Sequence, residues 1–369
     1  MRRILHLVGA SEDNGGILSS IRGVASHAAT EGWEHVLWMR RGFQQVRSPR
    51  LEVRESPHAL GESGSHLRLM VSAARAWPGL RRLVREGSFD VVHGHSRGAL
   101  LLSAWMSRTG HATIFSNHAY ARRTGMYRRA ASNRRLLTLL LTPNHARHYG
   151  IMPEPGRVEI LPECGAERFF EAPLPVARES SGGAFRLVGV GNLVGWKRWD
   201  LLVEACAALP AALRQRLRVT IWGPTPSEPA ARRHAADLER AVEACGLTGI
   251  VRFAGPTGDI LGALRDADLF VLPSTNEPCS VALIEALAAG VPALVSASGG
   301  NVDLVRDGET GRLFDPGSAK DLASKLEEWM TGRVKLVSPE RIRQSVERCR
   351  ASVVARQLHD IYRRWMTRR

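Results

Sequence analysis

Two glutamates lie eight positions apart near the end of the chain, one in a loop and the other in the helix predicted to follow it. Glu277 belongs to the polar segment 275–280, and Glu285 belongs to the apolar segment 281–290. Ser280 between them is a typical helix-capping residue, so the unpaired N–H groups of the first helical turn would face the loop. Those donors and the helix dipole favour a bound anion. Glu285 would lie about 7.5 Å further along the helix axis.

The residues before this loop, LFVLP at 269–273, have the length and apolarity of a buried parallel strand. Strand, loop and helix then form a ligand site of the kind found at the carboxyl end of an α/β sheet. The spacing suits a nucleotide-sugar. Its diphosphate would bind at the helix end, its sugar near Glu277 and its ribose near Glu285.

Apolar, strand-like runs alternate with helical patterns along the chain, which predicts an α/β protein with parallel sheets covered by helices on both faces. In the first half the predicted strands cover residues 4–8, 35–39, 89–93, 112–116, 139–142 and 158–161. In the second half they cover residues 185–190, 218–222, 250–254, 269–272, 293–296 and 312–314. A linker rich in Pro, Ser and Gly is predicted over 171–183, and one long amphipathic helix over 341–369. A cleft between two doubly wound domains is the default binding site.

Composition and length favour a two-domain protein of the cytoplasm. The 369 residues are 44% apolar, which is enough for two cores of ordinary domain size. The chain has no run of about eighteen apolar residues, so no membrane span is expected, and its apolar start ends too soon for a signal peptide. The five cysteines are scattered without metal-ligand spacing, which indicates a reducing compartment and no disulfide framework.

The net charge of +15 predicts an acidic partner, such as nucleic acid, anionic lipid or a phosphorylated substrate. Residues 101–150 hold eight arginines and no Asp or Glu. This segment predicts a basic face that meets an anionic membrane surface or a phosphorylated glycolipid acceptor, as a peripheral contact on the inner side of the membrane. Its paired arginines are Arg122, Arg123, Arg128, Arg129, Arg134 and Arg135.

With their strand, loop and helix, Glu277 and Glu285 match a Glu-x7-Glu motif, and the chain resembles retaining glycosyltransferases of the GT-B fold, most closely glycosyltransferase family 4. The resemblance covers nearly the whole chain. It implies two Rossmann-like domains facing across a cleft, an acceptor-binding domain over 1–175 and a nucleotide-sugar-binding domain over 184–345. The C-terminal helix over 346–369 would cross back to the first domain.

The resemblance also assigns roles to individual residues. Glu277 would position the transferred sugar, Glu285 the ribose and Lys197 the diphosphate. His118, just past a first-domain strand, would lie near the transferred sugar. Further donor contacts would come from Gly15, Gly16, Asn192, Pro256, Thr257, Cys279, Ser280, Val281 and Ala282.

Two departures from the family pattern affect these expectations. Asn192 stands where the family usually has arginine, so one phosphate-binding cation is replaced by a neutral amide without the charge-assisted hydrogen bond. The usual Asn-Gly-Val-Asp between the domains is Glu-Cys-Gly-Ala-Glu at 163–167. We expect the turn to persist through Gly165 and its polar contact to change.

A metal site is not expected. His93 and His95 also follow a strand, but with His118 they lack the accompanying carboxylate or cysteine spacing of a metal site. Asp266 and Asp268 form an Asp-x-Asp directly before a strand, which places them at the wrong end of the sheet for the nucleotide, so we expect a structural role. No cofactor is expected, because the nucleotide-sugar is a substrate.

The predicted activity is retaining, metal-independent transfer of a sugar from a nucleoside diphosphate donor, a UDP-sugar, to a hydroxyl of lipopolysaccharide or another cell-envelope glycan. A transferase acting on a secondary metabolite and a GT-B-fold nucleotide-sugar epimerase are the alternatives. An oxidoreductase would need an intact dinucleotide fingerprint. A nucleic-acid partner is disfavoured because the basic segment has few interleaved aromatic residues.

Overall fold

The structure is a computed structural model that describes residues 1–9, 15–40, 51–58, 60, 65–175 and 183–368. The chain divides into two compact units, Met1–Cys164 with Ala351–Arg369, and Gly165–Arg350. Each unit is built on a parallel sheet with the strand order of a doubly wound α/β domain. The division groups residues 165–175 and 346–350 with the second unit, whereas the sequence-based boundaries fall at 175 and 345.

The first unit contains a seven-stranded sheet in the order β3-β2-β1-β4-β5-β6-β7. The strands are β1 Arg2–Leu7, β2 Trp33–Arg40, β3 Glu52–Ser56, β4 Val91–Gly94, β5 Ala112–Ser116, β6 Leu137–Leu140 and β7 Val158–Ile160. The helices are α1 Gly16–Ala25, α2 His66–Gly87, α3 Arg97–Met106, α4 Gly125–Ala131 and α5 Pro143–Tyr149. Its inner strands are almost wholly buried, as expected for a parallel sheet covered on both faces.

The second unit contains a six-stranded sheet in the order β10-β9-β8-β11-β12-β13. The strands are β8 Phe185–Val190, β9 Leu217–Trp222, β10 Val251–Gly255, β11 Leu269–Leu272, β12 Ala293–Ser296 and β13 Gly311–Phe314. The helices are α6 Glu167–Glu171, α7 Trp199–Ala208, α8 Ala211–Arg216, α9 Pro229–Ala244, α10 Ile260–Arg265, α11 Val281–Ala288, α12 Asn301–Leu304, α13 Ala319–Met330 and α14 Pro339–Ser345.

The last helix, α15 Ala351–Thr367, belongs to the first unit and packs against α1. Its apolar face enters the core of that unit through Val354, Tyr362 and Trp365, which cluster with Trp33 of β2. The amphipathic pattern of the sequence predicts this face. No helix among the described residues is long and apolar enough to cross a membrane.

The prediction of one continuous helix over 341–369 is wrong. The chain forms α14, then a 3-10 turn at Glu347–Cys349, and begins α15 only after Arg350 adopts an extended conformation. The Arg350 guanidinium pairs with Glu167 at 2.5 Å, Glu347 at 3.0 Å and Glu171 at 3.2 Å. Gly165 donates its N–H to the Cys349 carbonyl at 3.0 Å. These tertiary contacts hold the break, and a helix-periodic sequence gives no sign of them.

Two further differences concern the edges of the predicted elements. The sequence analysis misses β3, because Glu52–Ser56 is a short polar edge strand without an apolar run. Of the predicted linker over 171–183, residues 176–182 lie outside the described part of the chain.

In each unit an aspartate binds the backbone near the start of the first strand, β1 or β8. Asp268 accepts a hydrogen bond from the Arg186 N–H at 2.7 Å and donates its own N–H to the Arg186 carbonyl at 2.9 Å. Asp90 makes the same pair of contacts with Arg3 in the first unit. These contacts give Asp268 of the Asp-x-Asp sequence a structural role, at the amino end of β8.

Candidate functional site

The central feature of the second unit is a buried ion pair between Lys197 and Glu277. Lys197 lies in the 3-10 turn Gly195–Lys197 that follows β8, and Glu277 lies in the loop that follows β11. The Lys197 Nζ donates to Glu277 Oε2 at 2.8 Å, and the two side chains are only 9% and 10% exposed. The ammonium also lies 4.5 Å from the centre of the Trp196 ring, a cation–π contact. The structure therefore brings together Lys197 and Glu277, the residues predicted to contact the diphosphate and the transferred sugar.

Backbone geometry holds the Glu277 loop in place. Asn276 adopts a left-handed conformation with φ 59°, which is uncommon for a residue other than glycine. The Asn276 N–H donates to Ser298 Oγ at 2.9 Å, and Gly300 N–H donates to the Glu277 carbonyl at 2.7 Å. A Cβ on Gly299 would lie 2.3 Å from that carbonyl oxygen, and Gly299 has φ +60°. Only glycine fits this approach between the two loops.

The N-terminus of α11 lies directly after the loop. Ser280 caps it, because its side chain accepts the Leu283 N–H at 3.3 Å, as the sequence predicts. The first-turn N–H groups of Val281 and Ala282 have no partner within the helix itself. Cys279, Ser280 and Val281 are buried. The helix end therefore presents backbone donors next to the Lys197–Glu277 pair.

Glu285 lies one turn into α11 and does not join the ion pair. Its side chain packs beside Gly165, where a Cβ would lie 3.3 Å from Glu285 Cγ. Burial raises the pKa of the Glu285 carboxyl to about 7, and the nearby Arg168 and the Ala166 N–H oppose that shift. The carboxyl is therefore poised to change charge near neutral pH.

The other predicted donor contacts in the second unit are distributed over neighbouring loops. Asn192 uses its carbonyl to accept from Trp199 Nε1 at 3.1 Å, while its side chain is half-buried. Pro256 is exposed, and half-buried Thr257 accepts the Asp259 N–H at 3.1 Å, so both follow β10 on a surface loop. Pro256 and Thr257 lie at the same carboxyl edge of the sheet as Glu277, but the hydrogen bonds of Thr257 and Glu277 go to other residues.

In the first unit, His118 follows β5 and borders a cavity of about 240 Å³. Ser96, Arg97, Asn117 and Tyr127 also line this cavity. His118 Nδ1 lies 2.5 Å from Glu163 Oε1, and both side chains are nearly buried. Glu163 belongs to the 163–167 segment that departs from the family pattern, and its carboxylate binds the histidine predicted to lie near the sugar.

The remaining predicted residues of the first unit are accessible. Gly15 caps α1 without a side chain, and Gly16 is its first residue. Residues 10–14 of the predicted turn lie outside the described part of the chain. The six paired arginines are all exposed, two just before α4, two on it and two just after it: Arg122, Arg123, Arg128, Arg129, Arg134 and Arg135. They form the basic face predicted from the sequence.

The sequence analysis does not identify His6, His35 and His359, which are completely or almost completely buried near His95. The sequence could have indicated two of these buried histidines, because His6 and His35 fall within predicted buried strands, where a histidine is unusual. His6, His93 and His95 bring ring nitrogens within 4.8 Å of one another, a spacing that could hold a metal ion. However, the ring nitrogens of His6 and His95 hydrogen-bond to other imidazoles, and those of His93 bond Ser116 and Tyr362.

Comparison with known proteins accounts for both units. Residues 14–149 match Glycosyltransferase Family 4, and residues 176–347 match Glycosyl transferases group 1. The chain belongs to the GT-B glycosyltransferases. The D-inositol 3-phosphate glycosyltransferase of Geodermatophilus obscurus is 32% identical over 65% of this chain and 59% of that protein. The lipopolysaccharide core biosynthesis glycosyltransferase LpsE of Rhizobium meliloti is 33% identical over 38% of each chain.

Solved structures share the GT-B fold over nearly the whole length. Sucrose-phosphate synthase from Thermosynechococcus elongatus superposes with a TM-score of 0.82 at 17% identity, covering 100% of both chains. Anabaena HepE, solved in complex with UDP and glucose, superposes with a TM-score of 0.74 at 16% identity over 98% of this chain and 99% of that one. The chain spans 59% and 38% of the lengths of the two curated relatives. The likeness to the solved structures, at 17% and 16% identity, shows the fold alone.

Proposed function

We propose that this GT-B glycosyltransferase moves a sugar from a UDP-sugar to a hydroxyl of lipopolysaccharide or another cell-envelope glycan. Transfer proceeds with retention of anomeric configuration and without a metal ion. The observation that carries this proposal is the buried Lys197–Glu277 pair beside the capped N-terminus of α11. A cation, a carboxylate and oriented backbone donors occur together at the carboxyl edge of one sheet.

The charges at this site suit a diphosphate leaving group. In the protein alone, Glu277 neutralises Lys197 at 2.8 Å. A bound diphosphate supplies competing negative charge, so Lys197 can pair with phosphate oxygens while Glu277 turns to sugar hydroxyls. The first-turn donors of α11 add a second positive field. Stabilisation of the charge that develops as the diphosphate leaves is the largest catalytic contribution we expect.

Glu285 is proposed to bind the ribose. It lies one helical turn beyond the α11 N-terminus, and its carboxyl has a pKa raised to about 7 by burial. A ribose hydroxyl would donate to the ionised carboxylate, so nucleotide binding should gain from pH values above about 7. Calorimetry of UDP with Glu285→Ala tests this contact, because an unchanged affinity would remove Glu285 from the site.

The relatives favour this donor and acceptor class. HepE was solved with UDP and glucose, and LpsE is named for lipopolysaccharide core biosynthesis. The Geodermatophilus relative is named for a phosphorylated acceptor, inositol 3-phosphate. The exposed basic face over Arg122–Arg135 suits an anionic membrane surface or a phosphorylated glycolipid in the same way. We therefore propose that the enzyme binds peripherally at the cytoplasmic face of the membrane.

The decisive experiment combines binding and turnover. UDP- and GDP-sugars are first screened for thermal stabilisation of the purified protein, since the true donor stabilises it by mass action. The stabilising donor is then incubated with lipopolysaccharide core acceptors, and NMR of the product determines the anomeric configuration. Retention is expected. Sugar conversion without an acceptor would indicate an epimerase instead, and an inverted product would overturn the retaining mechanism.

Matched variants connect the activity to the site. Lys197→Met and Glu277→Gln should each remove transfer, whereas Glu243→Gln, an exposed glutamate on α9, should not. Transfer that survives in both site variants would exclude the Lys197–Glu277 pair as the carrier of the reaction.

A further inference from the structure

Five histidines of the first unit form one uninterrupted chain of hydrogen bonds with a glutamate at each end. It begins where His118 meets Glu163 at 2.5 Å and continues to His95 at 3.0 Å. The inner contacts are His95 to His6 at 2.8 Å and His6 to His35 at 2.8 Å. His35 then contacts His359 at 3.0 Å, and His359 contacts Glu31 at 3.0 Å. We call these seven residues the histidine chain.

Each of the five rings uses both nitrogens in this chain, so its protons can be counted. Six hydrogen bonds need six protons, whereas five neutral imidazoles supply one N–H each. With both glutamates ionised, the complete set of contacts therefore requires one proton more than five neutral rings carry. One ring must be an imidazolium, or one terminal carboxyl must be protonated.

The environment decides where the additional proton is stable. Burial lowers the pKa of His6 and His95 well below its usual value and that of His35 to about 3. The middle of the chain therefore excludes positive charge, and the proton belongs at an end with a carboxylate. At the Glu31 end, Arg363 already lies 3.3 Å from the carboxylate, and it opposes a second positive charge on His359. At the other end, Glu163 pairs with His118, and no arginine or lysine of the described part of the chain forms an ion pair with it.

We propose that the histidine chain holds a single excess proton, placed at His118 by Glu163, and that Glu31 is its alternative end. Glu163, His95, His6, His35, His359 and Glu31 are then positioning residues for His118. They fix the orientation of its ring and its charge beside the cavity of about 240 Å³.

The proton can move between the ends without net exchange with solvent. When His118 is the imidazolium, its Nε2–H donates to His95 Nδ1. Breaking that N–H bond and forming one on His95 moves the charge by one ring, and each later hop repeats the exchange. After the last hop His359 is the imidazolium, Glu163 and Glu31 are both carboxylates, and no ring has turned. The charge of His118 beside the cavity is therefore coupled to Glu31 at the other end of the histidine chain.

Other polar groups packed around the chain do not interrupt it. His93 lies beside His6 and His95 with its ring tilted to theirs, but its nitrogens bond Tyr362 at 2.7 Å and Ser116 at 2.8 Å. His145 donates its Nε2–H to the Ala119 carbonyl, and burial lowers its pKa to about 4. In the described part of the chain, further ionisable groups near the two ends include His148, Arg97, Tyr127, Asp360 and Arg363.

Nitrogen-15 NMR of the full-length, ligand-free protein tests the proposal independently of sugar transfer. In protein labelled at histidine, we expect scalar couplings across the four imidazole–imidazole hydrogen bonds and one imidazolium signature, at His118. Glu163→Gln removes the charge at that end, so the imidazolium signature should move to His359. If His359 does not respond, or if all five rings are neutral in the wild type, the proposal fails. Stoichiometric zinc in the purified protein would also overturn it.

Variants at the two ends of the histidine chain keep the test usable if substitutions of the inner histidines disturb folding. Glu31→Gln alone should leave the imidazolium on His118, and Glu31→Gln with Glu163→Gln should remove it from all five rings. Ser116→Ala is the matched control, because Ser116 bonds His93 and not the chain. His35→Phe, where it folds, should prevent Glu163→Gln from transferring the signature to His359. A response of His359 through this interrupted chain would contradict the proton path.

Discussion

The two units have similar sheets, and in each an aspartate binds the backbone near the start of the first strand. Their buried polar groups nevertheless differ in charge. In the second unit a full positive and a full negative charge face each other, as Lys197 and Glu277. In the first unit buried imidazoles form a chain whose inner members are kept neutral by burial. Although the two sheets are alike, a few side chains determine the electrostatics of each unit. Because the charged states differ, the two units should respond differently to mutation, pH and salt.

The largest effect should follow from breaking the charged pair. Glu277→Ala should lower the transfer rate by at least about 100-fold, because the contact to the sugar is lost in the transition state. UDP binding should change little. The same variant leaves Lys197 buried without its partner, so unfolding free energy should fall by about 3 to 5 kcal/mol. Turnover and chemical denaturation measure the two effects.

A double variant separates stability from catalysis. Lys197→Met with Glu277→Leu replaces the pair by apolar side chains and should recover most of the lost stability, but no transfer. Glu277→Ala enzyme that retains more than about a tenth of the wild-type rate, a loss under about 1.4 kcal/mol, would remove Glu277 from catalysis.

Acidification should open the first unit before the second. The folded-state pKa of His35 is about 3 and those of His6 and His95 are also lowered, whereas unfolded histidine titrates near 6.5. The unfolded state therefore gains protons first, and stability is lost as pH falls below about 6.5. The effect of Glu285 on stability has the opposite sign. Because its pKa is raised to about 7, the folded second unit gains stability as pH falls from about 7 towards 4.5.

Hydrogen exchange read by mass spectrometry distinguishes these responses. Between pH 7.5 and pH 5, after correction for intrinsic rates, protection of β1 and β4 should fall by about tenfold or more while that of α11 is retained. Earlier opening of α11 would contradict the contrast between the two units.

The basic face of the first unit should bind anionic vesicles, whereas the second unit has no comparable acid-free segment in its sequence. Each arginine near an anionic leaflet contributes on the order of 1 kcal/mol, and salt screens it over about 10 Å. Co-sedimentation at low salt should therefore be strong and should fall at high salt. Reversing Arg122, Arg123, Arg128 and Arg129 to glutamate should abolish it. Binding that persists in this variant refutes a membrane role for the face.

A smaller effect is expected at Glu285. Glu285→Gln removes a carboxyl whose ionisation opposes folding at pH values above its pKa of about 7. The variant should melt about 2 to 4 °C higher than the wild type at pH 8 and show little difference at pH 5. Calorimetric melting at both pH values measures this. An equal change at the two pH values would point to altered packing in place of charge.

The smallest effect should be that of chelation. We expect transfer to survive dialysis against EDTA, because Lys197 and the α11 donors supply the charge that a metal would provide at the diphosphate. Restoration of a dead, chelated enzyme by magnesium or manganese would contradict this and would direct attention to the carboxylates Asp266 and Asp268.

The amino-acid sequence determined the features that depend on neighbouring residues. The strands over 185–190, 269–272 and 293–296 and the helix cap at Ser280 are found where the sequence predicts them. A buried parallel strand is recognisable as a short apolar run, and a cap needs only a hydroxyl at the helix start. The position of Glu277 beside α11 follows from the same local pattern, as does the exposed arginine segment.

Tertiary structure decided the contacts between distant segments. Lys197 and Glu277 are 80 residues apart, and His118 and Glu163 are 45 apart, so no local pattern pairs them. His6 lies opposite His93 because β1 and β4 are neighbours in a particular register, and α15 supplies His359 from the other end of the chain. The break at Arg350 likewise depends on carboxylates in α6. Periodicity specifies which side of a strand or helix is buried, but only sheet order, register and packing determine which polar groups meet there.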